Sequence, residues 1–143
     1  MKILFDYNRT LFNPDTNTLY EGVLPLLASL SQKHTLYLVS KYEKNRKNKI
    51  EELGIASYFT ETHFVEEKTK ELFINIAGSD TQMIVVGDRI KGEIKIANEL
   101  GYITIWVKQG KFALETPETK NETPDETIKH IQELENKIQQ YEK

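Results

Sequence analysis

The chain contains no cysteine and no long apolar run. The absence of cysteine excludes a disulfide framework, a thiolate nucleophile and a cysteine-ligated zinc or iron–sulfur site. No apolar stretch approaches the ~18 residues of a transmembrane helix. The first residues, MKILFDYN, lack the apolar segment of a signal peptide. We therefore expect a cytoplasmic protein that does not associate with membranes.

An excess of positive charge and the glycine-rich nucleotide loops are also missing. The formal net charge is −3, which disfavours bulk nucleic-acid binding because duplex affinity depends mostly on lysine and arginine at the phosphates. Neither Gly-x-Gly-x-x-Gly nor Gly-x-x-x-x-Gly-Lys occurs, so the motifs of dinucleotide binding and of P-loop NTPases are absent. The three histidines show no metal-ligand spacing.

Short apolar runs, typical of strands buried on both faces, alternate along the chain with amphipathic stretches typical of helices. The length of 143 residues suits one domain. The predicted strands are Lys2–Phe5, Leu36–Val39, His63–Val65, Met83–Val86 and Ile103–Val107, and the predicted helices are Val23–Ser31, Glu43–Leu53, Thr69–Ala77 and Glu93–Leu100. This alternation predicts an α/β fold, a three-layer, doubly wound parallel sheet with helices on both faces.

The C-terminal part of the chain has a different composition. We assign residues 1–114 to a core domain, residues 115–123 to a linker and residues 124–143 to an extra C-terminal helix. Thr123 is a suitable N-cap, a proline follows it, and Glu126 occupies the capping-box position. The apolar stripe of this helix either packs on the outer helices or forms a homo-oligomer contact; its members are Ile128, Ile131, Leu134, Ile138 and Tyr141.

Polar residues follow the predicted strands at the edge where parallel sheets bind ligands. Asp6 follows the first strand, Ser40 the second and Asp88 the fourth, with Glu93 five residues later. Two carboxylates on adjacent strands repel unless a cation lies between them, and hard oxygen ligands in an open pocket favour Mg²⁺. A carboxylate, a hydroxyl, a lysine and Mg²⁺ together suit phosphoryl transfer, in which positioning and charge neutralisation supply most of the catalysis.

The order and spacing of these residues resemble the haloacid dehalogenase (HAD) superfamily, which consists mainly of phosphatases. The resemblance covers about residues 1–112 and implies a Rossmann-like sheet of order 5-4-1-2-3, with Asp6 at its centre. Its four motifs are Phe5-Asp6-Tyr7-Asn8-Arg9-Thr10-Leu11, Leu36-Tyr37-Leu38-Val39-Ser40, a lysine at a helix start (Lys68, or else Lys70), and Ile84-Val85-Val86-Gly87-Asp88 with Glu93.

The resemblance also implies how the residues share the chemistry. Asp6 is the expected nucleophile, which forms an aspartyl-phosphate. Asp6 and Asp88 are expected to hold Mg²⁺ together with the main-chain carbonyl of Asn8, while Glu93 acts from outside the ligand sphere or through water. Lys68 is expected to neutralise Asp6 and the transferring group.

Further contacts to the substrate are expected from three residues. Ser40 donates to a phosphoryl oxygen, and Arg9, where the family often has glycine, either contacts substrate phosphate or lies in solvent. Lys41 begins a group of basic residues that either attracts an anionic substrate or forms a solvated helix face; the others are Lys44, Arg46, Lys47 and Lys49.

Position 8 departs from the family pattern. Most phosphatases of the family have an aspartate there, which protonates the leaving group and then activates water. Asn8 cannot exchange a proton near neutral pH, so the sequence supports nucleophilic attack better than efficient hydrolysis. A non-catalytic phosphate- or protein-binding regulatory module on the same fold is the alternative, and hydrolysis at carbon is a third.

The segment between Asp6 and Ser40 is too short for a cap domain. A helix fills most of it, and the turn-forming residues Asn13–Asn17 predict a small hairpin. We therefore expect an open site that accepts a small phosphate ester or a phosphorylated macromolecule.

Overall fold

The computed structural model describes residues 1–80 and 82–142. The strands of the described residues form a six-stranded sheet of order β5-β4-β1-β6-β7-β8 and a separate β2–β3 hairpin. Every neighbouring pair in the large sheet is parallel. The strands are β1 (Lys2–Asp6), β2 (Phe12–Asn13), β3 (Thr18–Leu19), β4 (Thr35–Lys41), β5 (Glu61–Val65), β6 (Ile84–Gly87), β7 (Ile103–Val107) and β8 (Glu126–Ile128).

The predicted order of the five core strands is confirmed. Counted from β7 to β5, the observed order is the expected 5-4-1-2-3, and β8 adds a sixth strand beside β7. Strand β1 lies between β4 and β6, with Asp6 opposite Val39 and Phe5 opposite Val86. The carboxyl ends of these three central strands therefore meet at one edge of the sheet.

Helices cover both faces of the sheet, as expected for a doubly wound fold. They are α1 (Val23–Lys33), α2 (Arg46–Glu52), α3 (Lys70–Ala77), α4 (Glu93–Glu99) and α5 (Leu134–Gln139). Because successive side chains of a strand point to opposite faces, Ile3 and Phe5 belong to the apolar core with α1, α2 and α5, whereas Leu4 belongs to the core with α3 and α4. None of the described helices has the length and apolarity needed to cross a membrane.

The connection between β1 and β4 contains only the hairpin and α1, so no cap domain is inserted there. The hairpin has the predicted place, and its turn residue Asn17 has a φ of 60°, a left-handed conformation that asparagine adopts more readily than most residues. The connection between β4 and β5 contains α2 and one 3₁₀ turn, Ala56–Tyr58. The edge of the sheet therefore stays uncovered.

The C-terminal segment differs from the prediction of a linker and one long helix over 124–143. Residues Glu126–Ile128 form the parallel strand β8, and α5 is a short helix. Asp125 explains the difference, because its Oδ2 accepts a hydrogen bond from the Thr104 amide at 2.9 Å and so aligns β8 with the open edge of β7. The helix start lies later, where Glu133 Oε2 accepts from the His130 amide at 2.8 Å. Lys143 lies outside the described residues.

The apolar stripe of this segment is buried within the chain. Ile128, Ile131, Leu134 and Ile138 are at most 2% exposed and belong to the core on the α1 face of the sheet. The packing interpretation of the stripe is therefore the correct one, and these four side chains offer no surface to a second copy.

Thr104 provides a test of how β8 is attached. Its Oγ1 accepts from the Asp125 amide at 2.9 Å and donates to Asn98 Oδ1 at 2.8 Å. The substitution Thr104→Val keeps the shape but leaves both partners unsatisfied, so the free energy of unfolding is expected to fall by about 1–3 kcal/mol in urea denaturation. The control Thr127→Val, at an exposed position of β8, should change it by less than about 0.5 kcal/mol. Equal effects would show that the hydrogen bonds do not anchor the strand.

Candidate active site

An open cleft of about 690 Å³ lies at the carboxyl edge of the central strands. Asp6, Asn8, Lys68, Asp88 and Glu93 all line it. The structure thus brings together residues that lie up to 87 positions apart in the sequence. They lie at the end of β1 or in the segments after β5 and β6. This convergence follows from the strand order, because the three strands end at the same edge.

Asp6, the last residue of β1, is held from two sides. Lys68 Nζ donates to Asp6 Oδ1 at 2.5 Å, and Thr10 Oγ1 donates to Asp6 Oδ2 at 3.1 Å. Lys68 is the lysine that meets Asp6, since Lys70 forms an ion pair with Glu99 at 3.5 Å. The two contacts fix the orientation of a carboxylate that is only 6% exposed.

Asp88 follows β6, and Glu93 begins α4 and turns back toward it. Glu93 Oε1 accepts from the amides of Asp88 and Arg89 at 3.1 and 3.4 Å. A side chain at position 87 would collide with the Glu93 carboxylate, which explains the glycine of the Gly87-Asp88 pair. Trp106 Nε1 donates to the main-chain oxygen of Asp88 at 2.8 Å, which anchors the loop from the neighbouring strand.

The carboxylates of Asp6, Asp88 and Glu93 form one buried cluster. Each offers an oxygen atom, and these atoms lie within 4.8 Å of one another. Burial, with the Asp6 and Glu93 carboxylates beside it, raises the pKa of Asp88 to about 10. Burial and the Asp6 carboxylate also raise the pKa of Glu93 above its usual range. Such a cluster favours a cation, and a set of carboxylate oxygens suits Mg²⁺.

Lys68 supplies the positive charge that the protein itself places in this cluster. Its Nζ also lies 3.6 Å from Glu93 Oε2. Burial alone would lower the pKa of Lys68, but the carboxylates of Asp6, Glu93 and Asp88 raise it above its usual range. Lys68 is therefore charged over the whole physiological pH range.

Ser40 lies near the carboxyl end of β4, where it is buried beside the cleft and contacts Arg46. It is 1% exposed and is not among the residues that line the cleft, whereas Arg46 is. Arg46 Nη1 donates to Ser40 Oγ at 3.1 Å and to the Lys41 carbonyl at 2.9 Å. The Arg46 side chain is 11% exposed and its Cζ lies 5.3 Å from the centre of the Tyr7 ring. The Arg46 guanidinium group therefore lines the cleft beside Ser40, and the contact of Ser40 with a phosphoryl oxygen stays a prediction.

Sequence reasoning identified neither Arg46 nor Thr10 as an individual site residue. Arg46 was one of several basic residues after Ser40, of which Lys41 also lines the cleft. The asparagine before Arg46 has a φ of 68°, a property that no local pattern revealed. Thr10 carries a weak signal, because a hydroxyl four residues after Asp6 can reach back across the turn that follows β1.

Two sequence comparisons identify relatives of the chain. A family model described as HAD-hydrolase-like matches residues 61–134, slightly more than half of the chain. A glyceraldehyde 3-phosphate phosphatase of Methanopyrus kandleri is 30% identical over an alignment of 95 residues, and the match covers 60% of this chain and 41% of that protein. The chain therefore spans about two fifths of the length of this relative.

Solved structures share the fold over almost the whole chain. An uncharacterized protein from Listeria monocytogenes serotype 4b superposes with a TM-score of 0.82 at 16% identity and covers 98% of this chain and 97% of its own. The D,D-heptose 1,7-bisphosphate phosphatase of B. bronchiseptica, complexed with magnesium and phosphate, superposes with a TM-score of 0.76 at 15% identity, over 99% and 100% of the two chains. Because the family model matches more than half of the sequence and the sheet has the expected strand order, the chain belongs to the HAD-hydrolase-like family of the HAD superfamily.

Proposed function

We propose that the protein is a Mg²⁺-dependent phosphatase or phosphotransferase that works through an aspartyl-phosphate on Asp6. The observation that carries the proposal is the Asp6 carboxylate, held by Lys68 and Thr10 beside the Asp88 and Glu93 carboxylates in an open cleft. A buried and oriented carboxylate next to a cationic group has the properties of a nucleophile for phosphorus.

In the first step, an oxygen of Asp6 attacks phosphorus in line with the ester bond. The new bond joins Asp6 to the phosphoryl group, and the bond to the leaving oxygen breaks. Lys68 and Arg46 are the cationic side chains placed to balance the negative charge on the phosphoryl oxygens as they move. Ser40 acts behind Arg46, which it helps to orient through its Oγ.

The residues that would hold Mg²⁺ are Asp6, Asp88 and the main-chain carbonyl of Asn8, with Glu93 next to them. The carboxylate cluster fits a divalent cation, since its members otherwise repel one another. When bound, Mg²⁺ neutralises charge on the phosphoryl group and the carboxylates. Glu93 keeps the Asp88 loop in place through its two amide contacts and also meets Lys68.

Asn8 determines how the reaction continues. The leaving oxygen needs a proton, and hydrolysis of the aspartyl-phosphate needs a base that takes a proton from water. Asn8 lines the cleft next to Asp6 but its amide does neither. Good leaving groups are therefore cleaved more readily than poor ones, and the phosphoryl group stays on Asp6 longer or passes to another acceptor.

The same residue favours a second candidate, a binding module that holds a phosphate group or a phosphorylated protein without turnover. The cleft retains the cationic groups needed for binding, while the acid–base group is missing. The two functions differ in one measurable property, the formation of a covalent adduct on Asp6.

The substrate class follows from the open cleft. The described residues place no domain over the carboxyl edge of the sheet, so the site suits small phosphate esters or a phosphorylated macromolecule. The M. kandleri relative acts, by its name, on a three-carbon phosphate ester, which supports the first class. The cytoplasmic location inferred from the sequence stays a prediction.

The nucleophile is tested with Asp6→Asn. The amide neither attacks phosphorus nor binds Mg²⁺ well, so release of p-nitrophenol from p-nitrophenyl phosphate should fall to background. Circular dichroism should show an intact fold. The control Asp15→Asn changes an exposed aspartate in the hairpin turn and should retain full turnover. Turnover by Asp6→Asn would contradict the mechanism.

The role of position 8 is tested with Asn8→Asp. The side chains are nearly isosteric, and general acid–base catalysis typically contributes ~10²–10⁴-fold, so turnover of alkyl and sugar phosphates should rise by a factor in this range. The gain should be small for p-nitrophenyl phosphate, whose leaving group needs little protonation. The matched control Asn48→Asp, on the exposed side of α2, should gain nothing.

The wild-type protein should accumulate the phosphoryl adduct when acetyl phosphate and Mg²⁺ are supplied. Intact-mass spectrometry detects the adduct, and Asp6→Asn should not form it. If no adduct forms and Asn8→Asp gains nothing on any ester, the binding-module function replaces the catalytic one.

The metal site is tested with Asp88→Asn in EDTA and in Mg²⁺. The folded protein raises the pKa of Asp88 from 3.8 to about 10, so ionisation of this group opposes folding and stability is lost as the pH rises above about 4. In EDTA, Asp88→Asn should therefore raise Tm, and the gain should grow between pH 5 and pH 8. Each kcal/mol of removed repulsion corresponds to about 2–4 °C.

In Mg²⁺, the wild type should have a higher Tm than Asp88→Asn, the opposite of the order expected in EDTA. The ion should stabilise the wild type at pH 8 but have little effect on Asp88→Asn, because a ligand that binds only the folded state raises Tm. The control Asp15→Asn should behave as the wild type in both conditions. A wild-type Tm that does not respond to Mg²⁺, with or without a fluoride mimic of phosphate, would contradict the metal site.

A further inference from the structure

Two arginines at the rim of the cleft share one aromatic ring. Arg9 and Arg89 both line the cleft, and the Cζ atoms lie 6.0 and 4.6 Å from the centre of the Phe112 ring. Phe112 lines the cleft as well. Like charges repel, so two guanidinium groups placed around one ring indicate a local preference for an anion.

The chain holds Arg9 in this position by several contacts. Its φ of 63° is the left-handed conformation, which costs a non-glycine residue energy unless the surroundings maintain it. Gln109 Nε2 donates to the main-chain oxygens of Arg9 and Thr10, both at 3.1 Å. The stem of Arg9 packs on Gly110, where an added Cβ would lie 3.2 Å from Arg9 Cδ. The loop after β7 is therefore shaped around Arg9.

The charge of this pair is poorly compensated. Arg89 Nε lies 3.7 Å from Glu115 Oε2, and the Arg89 side chain is 49% exposed. Arg9 forms no ion pair with any carboxylate of residues 1–80 and 82–142. Lys70 and Arg46 at the same cleft, by contrast, form ion pairs with Glu99 and Glu43. A guanidinium group without an ion pair and a loosely paired, half-exposed one thus lie together beside Phe112.

The pair also lies close to the reacting centre. Arg9 follows Asn8 and Arg89 follows Asp88, so each arginine is one residue away from a position that the proposed function assigns to the metal. Because Asp6, Arg9 and Arg89 line the same cleft, an ester whose phosphoryl group lies at Asp6 can extend toward the two arginines. Phe112 offers the carbon chain of such an ester an apolar surface.

We propose that Arg9, Arg89 and Phe112 form a subsite for a second anionic group of a small phosphate ester, either a phosphate or a carboxylate at the end remote from the reacting phosphoryl group. The proposal rests on the proposed function for the position of the first phosphoryl group. It narrows the substrate class from phosphate esters in general to short doubly anionic ones.

The test measures binding with phosphonates, which resist hydrolysis. Propylphosphonate, 3-phosphonopropanoate and propane-1,3-diyl bisphosphonate share a short carbon chain and differ in the second group. In calorimetric titrations with Mg²⁺, the wild type should bind the two doubly anionic compounds about 10- to 100-fold more tightly than propylphosphonate, as expected for one or two charge-assisted hydrogen bonds.

Arg9→Gln and Arg89→Gln should each reduce this preference, and the double variant should lose it. Lys111→Gln is the matched control, because Lys111 Nζ lies 5.5 Å from the same ring without lining the cleft. The control should keep the preference. Tighter binding of the bisphosphonate than of 3-phosphonopropanoate would indicate a phosphate subsite. The opposite order would indicate a carboxylate subsite.

Equal affinity of the wild type for all three compounds overturns the subsite, as does an equal loss in Lys111→Gln and Arg9→Gln. Turnover of p-nitrophenyl phosphate, measured in parallel, distinguishes failure of the subsite from failure of the proposed function. Turnover without a binding preference rejects the subsite alone, whereas a preference without turnover rejects the catalytic proposal and leaves the subsite in place.

Discussion

The contact between Lys68 and Asp6 is the interaction on which the rest of the site depends. Three carboxylates are buried at one edge of the sheet, and burial of uncompensated charge is costly. Lys68 lies within 3.6 Å of two of them, Asp6 and Glu93, and so offsets part of their negative charge. Burial and the carboxylates of Asp6 and Glu93 raise the pKa of Asp88 to about 10, so ionisation of Asp88 is opposed unless a further cation lies nearby.

The position of this contact follows from the topology of the sheet. Strand β1 is central, and β6 pairs beside it, which places Asp6 and Asp88 on adjacent strands. Lys68 comes from the other side, between β5 and α3, where Thr69 caps the helix by accepting from the Leu72 amide. The two carboxylates and the ammonium group thus come from three separate segments of the chain. Their charges lie close together only once the sheet has formed.

The cleft has several cationic side chains but no acid–base group at position 8, where the residue is Asn8. Arg46, Lys68, Arg9 and Arg89 all line the cleft, and their side chains are hydrogen-bond donors rather than general bases. The function that we propose therefore depends on groups that bind anions more than on acid–base groups. This combination is consistent with HAD-family chemistry in which the attack on Asp6 is easier than the steps that follow it.

The amino-acid sequence by itself determined the five core strands, the four helices between them and the residues Asp6, Asp88 and Glu93, because these features depend on local patterns: apolar runs, helix periodicity and polar residues at strand ends. Only the tertiary structure decided between Lys68 and Lys70, placed Arg46 in front of Ser40 and joined β8 to β7. The capping pattern at Thr123 was locally sound, but the open edge of β7 and the contact of Asp125 with Thr104 outweighed it. Long-range pairing of this kind depends on which edges and charges remain unpaired after folding, and a local pattern does not contain that information.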